Sequence, residues 1–191
     1  RQLTPFIYHD IVAYSENVYL VMRNGKYGYL NESGEEYIPC EYDFGGSFVN
    51  GFALIMRDQK YGIIRKDGSI LLPPEYDHSG IRESAYIFHD GMALIEKNGR
   101  FGYIDTTGAF IVPIFYESAY HFSEGLAPIC SNGAWGYIDT TGLLSIPFVF
   151  QFASPFIHGR AEVVYNGDVH KMNAKGECVK NCKGAPKSWK Q

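Results

Sequence analysis

The sequence predicts an all-β protein made of five short antiparallel meanders in tandem. Three observations predict it. Tyr, Phe and Trp make up 16% of the 191 residues and Gly contributes 21, a mixture that suits pleated sheets joined by tight turns. An aromatic residue precedes glycine at Tyr27-Gly28, Tyr61-Gly62, Phe101-Gly102 and Trp135-Gly136, at spacings of 34, 40 and 34 residues. Proline at 39, 73, 113 and 147 and glycine at 34, 68, 108 and 142 keep the same register. Self-similarity at a fixed period marks a repeat architecture, in which each unit buries its apolar face against the next.

The fourth repeat shows the elements in order. Ala127-Pro-Ile-Cys130 and Trp135-Gly-Tyr-Ile-Asp139 flank Asn132-Gly133. Asn-Gly between two β-rich runs predicts a hairpin with a type I′ turn, because both turn residues need positive φ. Asn24-Gly25, Asn98-Gly99 and Asn166-Gly167 repeat it, with Asp58-Gln59 as the weak copy. Asp139-Thr-Thr-Gly142 then predicts a longer turn with a left-handed glycine. The following strand is expected to close at Pro147, which cannot donate to a ladder. An aromatic segment follows, with Tyr8, Tyr42, Tyr76, Tyr116 and Phe150 in one phase, and reads as a fourth, irregular strand or a tight connection.

The units lie near 5–38, 39–72, 73–112, 113–146 and 147–180, forming one domain followed by a basic tail at 181–191. The unit of 34 residues favours an open, superhelical, solenoid-like array, with a closed five-bladed β-propeller as the alternative. The fifth meander is degraded: Val169-His170 replaces Trp135-Gly136 and Asn181 replaces Pro147, as expected of a terminal cap. Six extra residues enlarge the third repeat around 79–89.

The segments NGKYGYLNESGEEYIPCEYD, NGRFGYIDTTGAFIVPIFYE and NGAWGYIDTTGLLSIPFVF resemble the bacterial WG-containing (KWG) repeat. The resemblance covers about residues 5–180. It implies a β-rich tandem repeat acting as an interaction module, and it carries no catalytic residue. Only Trp135 keeps the family's tryptophan. Tyr27, Tyr61 and Phe101 stand in its place, which favours a packing role for the ring, covering the bare glycine beside it.

Charge and cysteine usage set further bounds. The hydrophobic share of 46% excludes wholesale disorder. The net charge of −4 excludes a domain-wide footprint for nucleic acid. From Asp168 onward six lysines face two acids, so the end of the chain is basic. Cys40 and Cys130 read as buried small hydrophobes, while Cys178 and Cys182 are close enough to pair. No run reaches the roughly 20 apolar residues of a membrane span. The chain starts at Arg1 and reads as processed or excised, so a secreted or cell-surface location follows if a signal peptide was removed.

Two kinds of candidate site remain. The insertion carries Arg82, Tyr86 and His89, residue types suited to recognition, and insertions in repeats map to loops on one face. The structural motif comprises Tyr27, Gly28, Tyr61, Gly62, Phe101, Gly102, Trp135 and Gly136. Two polar columns recur, His9/Asp43/Asp77/Glu117/Gln151 and Glu16/Asn50/Asp90/Glu124/His158. Glu41 with Asp43, or Glu75 with Asp77, could serve as paired carboxylates, but recurrence favours a solvated polar face. No catalytic residue, cofactor or metal site is expected. The expected role is non-enzymatic binding of a protein or peptide. A carbohydrate-binding module using aromatic stacking is the second reading, and an enzyme with its site at the insertion the third.

Overall fold

The computed structural model describes residues 8–77 and 87–190. Among them every regular element is a strand, and the strands form five antiparallel sheets. The first contains β1 (Asp10–Ser15), β2 (Val18–Arg23), β3 (Lys26–Leu30) and β4 (Glu36–Tyr42). The second contains β5 (Phe44–Gly45), β6 (Phe52–Arg57), β7 (Lys60–Arg65) and β8 (Ile70–Tyr76). The third has three described strands, β9 (Met92–Lys97), β10 (Arg100–Asp105) and β11 (Phe110–Tyr116). The fourth contains β12 (Ser118–Ala119), β13 (Leu126–Ser131), β14 (Ala134–Asp139) and β15 (Leu144–Phe150). The fifth contains β16 (Phe152–Ala153), β17 (Arg160–Tyr165), β18 (Asp168–Asn173) and β19 (Cys178–Lys180). Among the described residues no strand pairing joins one sheet to another, so they form no closed barrel. The chain divides into two compact units, residues 1–87 and 88–191.

The hairpin turns take the conformation that Asn-Gly requires. Asn132 and Gly133 have φ of 51° and 72°. Asp58 and Gln59 adopt the same left-handed pair at 52° and 62° without any glycine, because the flanking register Arg57↔Lys60 is held by the whole hairpin. A second left-handed pair precedes each hairpin, at Glu16-Asn17, Asn50-Gly51, Asp90-Gly91, Glu124-Gly125 and His158-Gly159. The second polar column therefore consists of turn residues. Its carboxylates link neighbouring repeats: Glu16 accepts from the Gly51 N–H at 3.0 Å, Asp90 from Gly125 at 2.8 Å and Glu124 from Gly159 at 2.8 Å.

The proline strand departs from expectation. It does not close at proline; β15 runs on to Phe150, three residues past Pro147. Trp135 pairs with Phe150 and Tyr137 with Ile146, so residues 147–149 all bulge opposite Gly136. The same register shift recurs at Gly28, Gly62 and Gly102. Proline fits there because a bulged residue owes the ladder no N–H. The bulge brings backbone against the glycine. A Cβ on Gly136 would lie 2.7 Å from the Ile146 oxygen, and one on Gly102 would lie 2.6 Å from the Val112 oxygen.

Apolar residues of adjacent sheets interlock within each unit. Tyr29, Ile38 and Tyr42 of the first sheet pack with Ala53 and Ile55 of the second. Leu94 and Tyr103 meet Ala127 and Ile129, and Leu126, Tyr137 and Ile146 meet Ala161 and Val163. The tyrosine after the glycine is the deepest ring of each junction. Its hydroxyl donates to the backbone that follows the next short strand: Tyr29 to Gly46 O at 2.7 Å, Tyr103 to Tyr120 O at 2.6 Å and Tyr137 to Ser154 O at 2.8 Å. Burial pushes these phenols well above their ordinary range, so they stay donors.

The fifth repeat rearranges around its replacements. His170 stands where the other repeats have glycine, and the strand opposite shortens to three residues. The space so opened admits the imidazole, whose Nδ1–H donates to the Asn181 carbonyl. Cys178 and Cys182 form a disulfide around this point. The basic segment then folds back over residues 181–190. Its lysines are exposed, but Trp189 is 5% exposed and packs on Phe150, Tyr165 and His170 at ring distances of 5.3, 5.8 and 6.0 Å.

Gly136→Ala is expected to lower stability by about 1–3 kcal/mol, since backbone must move to admit one methyl group. Urea unfolding checks this, and an unchanged midpoint would show that the bulge yields freely. Trp189→Ala is expected to cost about 3 kcal/mol or more through the cavity it leaves. A melting temperature equal to wild type would show that the returning segment contributes nothing to the fifth sheet.

Candidate functional site

The surface feature that stands out is a cluster of three aromatic rings in the second unit. Trp135 lies on β14, the middle strand of its sheet, on the same face as Tyr137 by strand alternation. Tyr137 is at the buried centre of that face, and Trp135 is half-buried at its rim. Tyr120 follows β12, and Phe152 opens β16. The Tyr120 ring stacks on Trp135 at 5.4 Å and 27°. Phe152 approaches Trp135 at 6.0 Å and Tyr120 at 6.4 Å, completing a triangle. Tyr120 and Phe152 are each 39% exposed. In the first unit Tyr27 meets Phe44 in the same way, at 6.0 Å. The aromatic ring therefore packs on the next sheet's first strand, while its glycine faces the bulge. Ring and glycine solve two separate packing problems, not the single one expected of a ring covering bare backbone.

The first polar column performs turn capping. Asp43 accepts from the Asp58 N–H at 2.8 Å, Glu117 from Gly133 at 2.9 Å and Gln151 from Gly167 at 2.9 Å. Asp43 also pairs with Lys26 and Asp77 with Lys60, and Arg57 pairs with Glu41. The hydrogen bond from Lys26, with the Asp58 N–H, holds the Asp43 carboxyl below its ordinary range. Asp43 and Glu41 thus hold structural partners and do not form an isolated acid–base pair. Asp105 and Asp139 cap their own turns: Asp105 accepts the Thr107 hydroxyl at 2.6 Å and the Thr107 and Ala109 N–H groups at 2.8 and 3.0 Å. These bonds, the threonine hydroxyl first, hold both carboxyls low.

Of the insertion residues, Arg82 and Tyr86 lie outside the described residues. His89 is half-buried, and its ring lies 4.6 Å from that of His121, the neighbour of Tyr120. Cys130 is buried, whereas Cys40 is only partly so. Burial pushes both thiols up. Among the described residues no three His, Cys, Asp or Glu side chains gather as a metal centre would require, and no helix is long and apolar enough to cross a membrane. The sequence reading missed the junction tyrosines, whose signal was Tyr29, Tyr103 and Tyr137 in register, with Ile63 and Lys171 departing. It also missed Trp189, a lone aromatic among lysines.

Tandem β-meanders joined by such contacts define a repeat protein. The chain belongs to the WG containing repeat family, whose pattern matches residues 1–27, 27–61, 61–101, 101–133 and 135–167. No curated protein matches it significantly. Among solved structures it is similar to KlHsv2 with loop 6CD replaced by a Gly-Ser linker, at 7% identity and a TM-score of 0.45 over 83% of this chain and 60% of that one. It is also similar to PorZ, a bacterial surface component of the type-IX secretion system of Porphyromonas gingivalis, at 12% identity and a TM-score of 0.37 over 85% of this chain. The chain thus spans 60% and 27% of the length of these two structures.

The low carboxyl pKa of Asp105 and Asp139 predicts a pH dependence. A carboxyl lowered in the folded state stabilises the fold above its unfolded pKa, and that stability is lost as pH falls through the folded value. Melting temperature should therefore fall on acidification below the ordinary carboxylate range. Asp105→Asn with Asp139→Asn should flatten that limb, and an acid limb as steep as wild type would assign it to other groups.

Proposed function

We propose that this chain is a non-enzymatic interaction module that binds a protein or peptide segment through Tyr120, Trp135 and Phe152. The observation that carries this reading is the preformed triangle of rings, seated on β14, on β16 and just after β12, with two members exposed. Aromatic residues are enriched at protein interfaces because they present a large apolar area with little rotamer entropy to lose. A pyranose platform needs an open ring face, and Tyr120 occupies one face of the Trp135 indole. The engagement of Glu41 and Asp43 in ion pairs and turn caps supports a binding role over acid–base chemistry. His89 of the insertion, whose ring lies against that of His121, the neighbour of Tyr120, extends the proposed surface.

A random-peptide display library and a glycan array, both probed with the full chain, test the reading. Peptides should be recovered whose titration changes Trp135 fluorescence. Tyr120→Ala and Phe152→Ala should each weaken them by about tenfold without lowering the melting temperature, because both rings are surface members of the cluster. Glycan binding sensitive to the same variants would replace this reading with a carbohydrate-binding module. No ligand from either source, or peptides indifferent to both variants, would remove it.

A further inference from the structure

The fifth sheet breaks the repeat pattern on one face. In the fourth sheet Pro128 and Tyr137 are cross-strand partners, and Leu126 lies on the same face by alternation. Leu126 and Tyr137 are buried against the fifth sheet. One period of 34 residues on, those three positions hold Arg160, Glu162 and Lys171, and Ile146 is matched by Lys180. Glu162 and Lys171 face one another as cross-strand partners and form an ion pair at 3.0 Å. Together with Ser154, Ile157 and His158, these side chains line an open depression of about 690 Å³.

Polarity alone is what any face that meets water requires. Two features exceed that requirement. The first is the sign of the charge. Glu162 is engaged by Lys171, while Arg160 is exposed and has no ion pair among the described residues. The turn position that carries an acid at Glu16, Asp90 and Glu124 carries His158 here, a neutral replacement also seen at Asn50, and the Glu124 carboxylate beside it is engaged by the Gly159 N–H. Lys175, Lys180, Lys183, Lys187 and Lys190, all exposed, add to a positive field around the same sheet. The second is Ile157, which is 66% exposed. The equivalent residue one repeat earlier is Ser123, whose hydroxyl donates to Phe156 O at 2.6 Å. The same position holds Val49, His89 and Ser123 in other repeats, each only half-exposed, so Ile157 is set apart by its exposure at the rim of the depression.

We infer that this face of the fifth sheet docks an acidic peptide segment of a partner protein. Arg160 takes a carboxylate through its planar fork, which matches carboxylate geometry bidentately. Ile157 takes an apolar side chain of the same segment. The surrounding lysines raise the association rate by steering, and that contribution is screened by salt. The surface contains none of the rings of the aromatic triangle, so it stands or falls separately from the reading above.

The test is fluorescence anisotropy of a labelled ten-residue peptide of alternating Glu and Leu, titrated with the full chain at low and at moderate salt. Binding should weaken with salt, and a Lys-Leu peptide of equal length should not bind. Arg160→Glu should weaken binding by about tenfold or more, Ile157→Ser by several-fold, and Lys66→Glu, an exposed charge in the first unit, by less than about twofold. Arg160→Gln provides a second variant should Arg160→Glu lower the melting temperature. Tyr120→Ala should leave this affinity unchanged, which separates it from the aromatic site. The inference is overturned if the acidic peptide fails to bind at low salt, if Lys66→Glu costs as much as Arg160→Glu, or if the Arg160 variants bind like wild type.

Discussion

The contact on which the first four repeats depend is that between the glycine of the middle strand and the bulged backbone of the proline strand. Three residues of the outer strand stand opposite one glycine, and carbonyl oxygen or amide nitrogen occupies the space of its missing Cβ. The bulge turns the outer strand sharply, as bulges do. It lets that strand end beside the start of the next short strand, with only Asp43, Glu117 or Gln151 between. Proline within the bulge also spoils an edge that would otherwise recruit further strands. Glycine, bulge and proline are thus one device, and the sheet-to-sheet step follows from it.

Two interactions then tie neighbouring sheets together. The tyrosine after the glycine spans the junction and satisfies a backbone carbonyl that has no strand partner. A hydrogen bond to a buried group is worth about 1 kcal/mol net, but leaving the carbonyl bare would cost more. The turn carboxylates reach across to the next repeat's glycine N–H on the outside. Apolar burial supplies most of the attraction between sheets, while these directional bonds set the register at which they meet. Ile63, which lacks the hydroxyl, shows that burial at this position does not require the bond.

Local chemistry was legible in the sequence wherever one residue type has one conformational use. Asn-Gly predicted the hairpin turns at 24–25, 98–99, 132–133 and 166–167, and Asp58-Gln59 was placed correctly by register alone, whereas the left-handed pairs such as Glu124-Gly125 that precede the hairpins were not read. The aromatic–Gly pairs and prolines gave the repeat and its family. What could not be read was the partner of each feature. Pro147 reads as a strand end, because proline usually is one; only the pairing of Trp135 with Phe150 shows that the strand continues. The ring of Trp135 and the bare Gly136 are adjacent in sequence, yet they serve different neighbours. Trp189 sits in a lysine-rich stretch whose composition says solvent, and its burial depends on a fold-back that no local pattern encodes.

The fifth repeat shows why departures from the pattern are more informative than the pattern. His170 for glycine and Asn181 for proline each look like decay when taken singly. In the structure they compensate: the bulge opens, the imidazole fills it, and the Asn181 carbonyl receives its N–H while the disulfide closes the segment. A drifting sequence would lose glycine first and pay with a steric clash against the strand opposite. Here the replacements are mutually satisfied and Trp189 is recruited to cover the same core. The outer face changes in step, from Leu126, Pro128 and Tyr137 to Arg160, Glu162 and Lys171. That face no longer presents the apolar residues with which the fourth sheet meets its neighbour. Its charge and exposed isoleucine are accordingly the surface on which selection for a different partner could act without disturbing the junction with the fourth sheet.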